Sequence, residues 1–162
     1  MLLQGFIGMS LSGGGMALKL QGQYYFSAHR AEVWKSLNDP VTLAKAIPGG
    51  KTFKPLGNDR YAITMELGIP AIKGTYKGYA EITNKVAPKS YTIHIVASGA
   101  TGTVDATAHI DLQDQQAGTL ASYTGEAKVS GALAGAGSRI LSGIGKIIIG
   151  QFFKSLDRMV QR

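Results

Sequence analysis

The chain has 162 residues, the length of one ordinary domain, and 44% of them are apolar, enough to build a core rather than remain disordered. There is no cysteine, which excludes disulfides, thiolate metal sites, iron–sulfur clusters and thiol catalysis. Seventeen basic against ten acidic residues give a net charge of +7, which draws the chain toward anionic surfaces. The basic residues are scattered, without the dense block of a nucleic-acid-binding tail.

Residues 1–18 carry no charge and are interrupted by Gly5, Gly8 and Gly13-Gly14-Gly15. They lack the basic start of a secretory signal and the unbroken apolar run of a membrane span. Residues 1–15 are expected to be a flexible leader or an over-extended start, with a weak lipid-surface anchor as the alternative. Residues 16–162 are expected to form one domain.

Lys19 to Phe26 alternates loosely and predicts a first strand. Ser27 has the chemistry of an N-cap for a helix over Ala28 to Leu37. Asn38-Asp39-Pro40 breaks it and starts a second short helix, which Pro48-Gly49-Gly50 ends. Six strands follow. They are predicted over Lys51 to Leu56, Tyr61 to Leu67, Lys73 to Val86, Tyr91 to Ser98, Thr103 to Leu112 and Thr119 to Ser130, each closed by a turn. One long helix, Leu133 to about Val160, ends the chain.

Consecutive strands on short turns pair antiparallel, and a sheet with one apolar face must be covered. Only the last helix is long enough to cover it. The expectation is an α+β fold: a curved, seven-stranded antiparallel sheet wrapped around a long C-terminal helix, with two short helices after strand one.

Period-two alternation sorts the faces. Tyr61, Ile63, Met65 and Leu67 share a side; so do Tyr76, Gly78, Ala80 and Ile82; Tyr91, Ile93, Ile95 and Ala97; Val104 to Leu112 in steps of two; and Ala121 to Val129 likewise. Many of these are Gly or Ala. Interiors pack densely, so small residues mean either close approach of the helix, aided by Gly135, Gly137, Gly143 and Gly145, or an enclosed apolar pocket.

On the last helix Leu141, Ile144, Ile148, Phe152 and Met159 fall on one stripe, expected to be the core face. Ile149, Phe153 and Val160 form a second stripe beside Leu156. It implies either a helix buried over more than half its circumference, or an exposed seam for a homodimer or a membrane surface.

Catalytic chemistry is sparse. His94 and His109 fall on outward faces, His29 lies near the first helix, and none has metal-ligand spacing. The segment Gly131 to Ser138 lacks the context of a dinucleotide fingerprint and the Gly-Lys-Ser/Thr of a phosphate loop. There is no Gly-x-Ser-x-Gly elbow. Aromatic and basic residues are not interleaved as in a nucleic-acid platform, so no nucleic acid is expected.

The run Val33-Trp34-Lys35-Ser36-Leu37-Asn38-Asp39-Pro40, followed by Leu43-Ala44-Lys45-Ala46-Ile47-Pro48-Gly49, resembles the opening signature of the CoxG family, the G-type subunits of carbon monoxide dehydrogenase. The resemblance continues through Gly68-Ile69-Pro70-Ala71-Ile72-Lys73-Gly74-Thr75-Tyr76-Lys77-Gly78, Val129 to Ala134, Gly137-Ser138-Arg139 and Gln151-Phe152-Phe153. It implies the START-like (SRPBCC) helix-grip fold with a deep apolar cavity. It also implies association with molybdenum-containing carbon monoxide dehydrogenases and related hydroxylases, in membrane recruitment or in handling a quinone. Many relatives have Cys after Ile-Pro-Gly; here Gly50 stands there, so that thiol has no role. Some relatives extend into a C-terminal membrane anchor; this chain ends at Arg162, and a stable anchor of that kind is not expected.

The expectation is a non-catalytic carrier of a hydrophobic ligand, an isoprenoid quinone or fatty-acid-like lipid held between sheet and helix, with no covalent cofactor and no metal. The candidate lining is Ile47, Phe53, Ile63, Met65, Tyr76, Ile93, Ile95, Tyr123, Ile144, Ile148 and Phe152. Ile47 and Pro48 stand at the entrance, with Gly68 to Ile72 opposite. Expected partners are the apolar molecule, a dehydrogenase complex and an acidic membrane touched peripherally from the cytoplasm. The alternatives are a structural adaptor without ligand, and a cyclase- or hydratase-type enzyme, for which inward Tyr76, Tyr91 and Tyr123 could donate a proton.

Overall fold

A computed structural model describes residues 15–160; the expected leader, residues 1–15, lies outside the described residues except for its last glycine, Gly15. The elements run β1 (Met16–Phe26), α1 (Arg30–Leu37), α2 (Pro40–Ala46), β2 (Gly50–Gly57), β3 (Arg60–Leu67), β4 (Gly74–Val86), β5 (Ser90–Gly99), β6 (Gly102–Gln115), β7 (Gly118–Ser130) and α3 (Ser138–Met159). The strands form one antiparallel sheet in the order β1-β7-β6-β5-β4-β3-β2. β2 to β7 follow one another as hairpins, and β1 joins the far edge beside β7. This is the helix-grip architecture.

Turn chemistry explains the hairpins. Between β2 and β3, Asn58 and Asp59 both take positive φ, 54° and 59°. That is the mirror-image two-residue turn whose twist matches antiparallel strands.

Three local expectations need correction. Ser27 is not the cap of α1; the helix starts two residues later than expected, with His29 as N-cap and no side-chain cap bond. The cause is tertiary: Thr119 Oγ1 on β7 donates to the Ala28 carbonyl at 2.8 Å, tying Ala28 to the sheet ahead of the helix. The last helix begins at Ser138, not Leu133. Ala132–Ala136 forms a separate 3₁₀ turn, and Gly137, at φ 93°, breaks the path between them.

The third correction concerns glycine. A Cβ built on Gly135, Gly137 or Gly143 meets nothing within 4 Å, so none of them brings helix and sheet together. Of the four, only Gly145 does: its Cβ would lie 3.0 Å from the Leu20 side chain.

One end of the sheet is sealed. Tyr91 is fully buried there, its hydroxyl donates to the Leu37 carbonyl at 3.0 Å, and its ring lies 5.7 Å from that of Trp34. Phe26, Val33, Leu37 and Leu43 complete this plug. We call this end the base.

Candidate functional site: the inner face of the sheet

α3 packs chiefly on the edge strand β1 and on α2, and stands off from the central strands β4, β5 and β6. The side chains record the same asymmetry. The second stripe of α3, expected to be the lesser one, is the more buried: Phe153, Leu156 and Val160 are all buried. Phe153 sits in an aromatic cluster with Tyr24, Phe26 and Tyr123, at ring distances of 5.7, 6.0 and 5.8 Å. Of the stripe expected to be the core face, only Leu141 is buried, whereas Ile144, Ile148, Phe152 and Met159 are half-buried.

The strands answer it. Along β5, Tyr91 and Ala97 are buried, while Ile93 and Ile95 between them are half-buried. Along β6, Ile110 and Leu112 are buried and Val104 and Ala106 are half-buried. On β7, Tyr123 and Gly125 keep accessible surface between buried Ala121 and buried Ala127. Apolar surface in the middle of an inner wall is accessible only if the protein's own side chains leave space there. The middle of the inner face thus keeps apolar surface accessible on the side of the central sheet that faces α3.

Ile93, Ile95, Tyr123, Ile144, Ile148 and Phe152 are all half-buried residues packed on the core. Ile47 and Met65 are half-buried as well. Phe53, Ile63 and Tyr76 are buried in the wall itself: Phe53 stacks on Tyr61 at 4.5 Å, and the Tyr76 hydroxyl bonds the Ile72 carbonyl at 2.8 Å and Thr101 Oγ1 at 3.0 Å. Val104, Ala106 and Leu20 also belong to the inner face; their period-two position signals them. The Ile47-Pro48-Gly49 segment abuts the end of β3, where the Glu66 N–H donates to the Gly49 carbonyl. It therefore lies beside the Gly68–Ile72 loop at one rim rather than across from it.

Electrostatically the wall is quiet. Among the described residues, the inward positions of β3 to β7 carry no His, Asp, Glu, Lys or Arg except Asp114, exposed at the base end of β6 and paired with Arg30 at 3.4 Å. The tyrosines are the inward polar groups of note. Burial pushes the Tyr91 phenol well above its usual range, and burial also raises Tyr123. His94 lies outward, its Nε2 2.7 Å from Asp105, and His109 lies outward beside Thr92. No cluster of metal-ligating side chains occurs among the described residues.

An open groove of about 790 Å³ is lined by Lys19, Gln21, Thr92, Thr107, His109, Thr124 and Glu126 of the outer face together with Leu20 and Gly125 of the inner face and Lys146 of α3. It mixes apolar surface with hydroxyls and charges, and it is open to solvent rather than enclosed as small-molecule pockets are.

Residues 22–161 match the family described as CoxG, the G-type subunit of carbon monoxide dehydrogenase. The chain belongs to that family. A solved structure of a conserved protein from Geobacillus kaustophilus is similar to this CoxG family member at 34% identity and a TM-score of 0.85, over 87% of this chain and 93% of that one. Protein Ms6760 from Mycobacterium smegmatis shares 22% identity at a TM-score of 0.67, over 88% and 90% of the two chains. Protein CV1439 from Chromobacterium violaceum shares 19% at 0.65, over 90% and 99%. The last two show the shared fold alone. Comparison with curated proteins gives no match. The CoxG assignment and the helix-grip fold thus agree with the architecture built above, and the family resemblance read from Asn38-Asp39-Pro40 and Ile47-Pro48-Gly49 is upheld.

Proposed function

We propose that this CoxG family member is a non-catalytic carrier that holds an apolar molecule between the central sheet and α3, as an accessory to a molybdenum carbon monoxide dehydrogenase-type enzyme at the membrane. The observation that carries it is the half-buried apolar middle of the inner wall, Ile93, Ile95, Ile144 and Ile148, sealed at the base by Tyr91. Each 100 Å² of apolar surface buried there contributes roughly 2.5 kcal/mol before the costs of association.

The wall also bears on ligand class. An ionised carboxylate buried without a partner is strongly disfavoured, and the inward positions of β3 to β7 offer no cation. A neutral isoprenoid quinone fits along its whole length, whereas a fatty acid fits only with its carboxylate at the rim. The enzyme alternative has little support, since the inward acid of these strands among the described residues, Asp114, is exposed at the base and paired with Arg30. No helix of the described residues is long and apolar enough to cross a membrane; the proposed membrane association is peripheral, from the cytoplasmic side.

Native mass spectrometry of the protein as purified, followed by organic extraction, tests the carrier. A stoichiometric isoprenoid or acyl molecule is expected. A ligand-free mass that persists after incubation with quinones and fatty acids would overturn it in favour of a structural adaptor.

A further inference from the structure

α3 has a third face, used neither by the core nor by the inner wall. Its middle line is Ile140, Gly143, Ile147 and Gly150, all exposed and spaced alternately three and four residues apart. At about 100° per residue they stack on one side of the helix, opposite buried Leu156. Ile140 and Ile147 are each 54% exposed, and among the described residues they are the exposed large apolar side chains of α3. Isoleucine alternates with glycine, so knobs alternate with notches. That relief, at that spacing, is what a second helix fills when it packs against a first. The notches have no purpose inside the chain. A Cβ built on Gly143 or Gly150 meets nothing within 4 Å, whereas Gly145, on the other side of the helix, is held small by Leu20 at 3.0 Å. Neither Gly143 nor Gly150 takes a positive φ. Glycine inside a helix is less favourable than every residue but proline, and no internal contact explains two of them here. They admit a backbone that approaches α3 from outside.

Charge identifies the kind of partner. The exposed charged side chains of α3 are Arg139, Lys146, Lys154 and Arg158, all cationic. The acid of the helix, Asp157, is half-buried and accepts from the Tyr24 hydroxyl at 3.0 Å. A second copy of the same face would set cations against cations. A bilayer takes a helix with a broad apolar face; here two isoleucines stand between glycines, and the other apolar side chains of α3 are buried or half-buried. An amphipathic helix of another protein, with a small or apolar seam and Glu or Asp beside it, matches both the relief and the charge.

We propose that the outward face of α3 is a docking surface for an acid-flanked amphipathic helix of a partner protein: Ile140 and Ile147 enter its seam, Gly143 and Gly150 admit its backbone, and Lys146 and Lys154 pair with its acids. This rests on the accessory reading only for which protein carries that helix, the carbon monoxide dehydrogenase-type enzyme; the relief and charge of α3 stand without it.

Photo-crosslinking of the full chain, in the cells that make it, tests the proposal. Benzoylphenylalanine replaces Ile147, and in a control it replaces Leu56, which is 59% exposed on the far edge strand β2. Mass spectrometry of the adducts reads where the probe lands. The Ile147 probe is expected to mark a helix of another protein with Glu or Asp beside the marked residue, and the Leu56 probe is not. With the probe at Ile147, Lys146→Glu/Lys154→Glu is expected to lower the adduct yield at least about tenfold. Lys54→Glu/Lys89→Glu, with the same change in net charge away from α3, is expected to retain most of it. Gly143→Gln/Gly150→Gln fills both notches with a better helix former. Its thermal midpoint is expected to rise by about 3–6 °C while its adduct is lost, so failure to dock is not failure to fold. Adducts on lipid or on a second copy overturn the proposal; so does an Ile147 yield no greater than that of Leu56, or one that filling the notches leaves unchanged. An adduct on an acid-flanked helix of a protein other than the dehydrogenase leaves the docking surface intact and removes that enzyme from the accessory reading.

Discussion

Tyr91 and Tyr123 are both inward tyrosines, yet they do different work. The Tyr91 hydroxyl satisfies the Leu37 carbonyl at the plugged base. Tyr91→Phe leaves that carbonyl without its donor and is expected to cost about 1–2 kcal/mol, read from the urea midpoint. Burial raises the folded-state phenol above its ordinary value of 10. Below about pH 10 both states are neutral and the phenol has no pH effect; above it the unfolded chain ionises first, so stability falls as pH climbs. Tyr91→Phe is expected to flatten part of that alkaline loss. Ile148 makes the opposite kind of prediction. It is half-buried on the wall, so Ile148→Asp puts a charge where a hydrocarbon is proposed to lie. Ligand retention in native mass spectra is expected to fall below detection while the fold persists; full retention in a folded variant removes Ile148 from the site. The inward positions were legible from alternation alone. The hydroxyl partners were not, because they belong to α1 and to turns that only the fold brings near.

At the scale of the element, α3 shows what periodicity conveys and what it leaves open. Spacing identified two apolar stripes correctly but ranked them the wrong way round. Rank depends on what each stripe faces: one meets the aromatic cluster at the β1 edge, the other the space before the central strands. The helix start was misplaced for a related reason. Helical spacing runs back through Leu133, but Leu133 N–H is taken by Thr101 in the β5–β6 turn, and Gly137 then redirects the chain. Side-chain truncation distinguishes the two stripes. Phe153→Ala is expected to cost about 3–5 kcal/mol in equilibrium unfolding. Ile144→Ala, whose side chain lacks neighbours on one side, is expected to cost less than about 2 kcal/mol. Equal losses would mean that the inner wall is closed in solution.

For the whole molecule, strand order and hairpin succession were legible because each turn carries its own signal and each strand its alternation. The meeting of Ile47 to Gly49, Gly68 to Lys73, Gly99 to Gly102 and Gly131 to Ile140 at one end of the sheet was not, since these segments are scattered along the chain and converge only after the sheet has curled. The stand-off of α3 from β4, β5 and β6 has a further, volumetric consequence. A folded chain whose side chains leave interior room occupies more volume than its atoms need, and unfolding gives that volume up to water. Hydrostatic pressure should therefore favour the unfolded chain, with a volume change in the range of about −20 to −100 mL/mol. An Ile93→Phe substitution that fills part of the room should raise the pressure midpoint seen by Trp34 fluorescence, even where its effect on the thermal midpoint is small. Heat and pressure would then rank the same variants differently, as expected of a protein proposed to hold an apolar molecule inside.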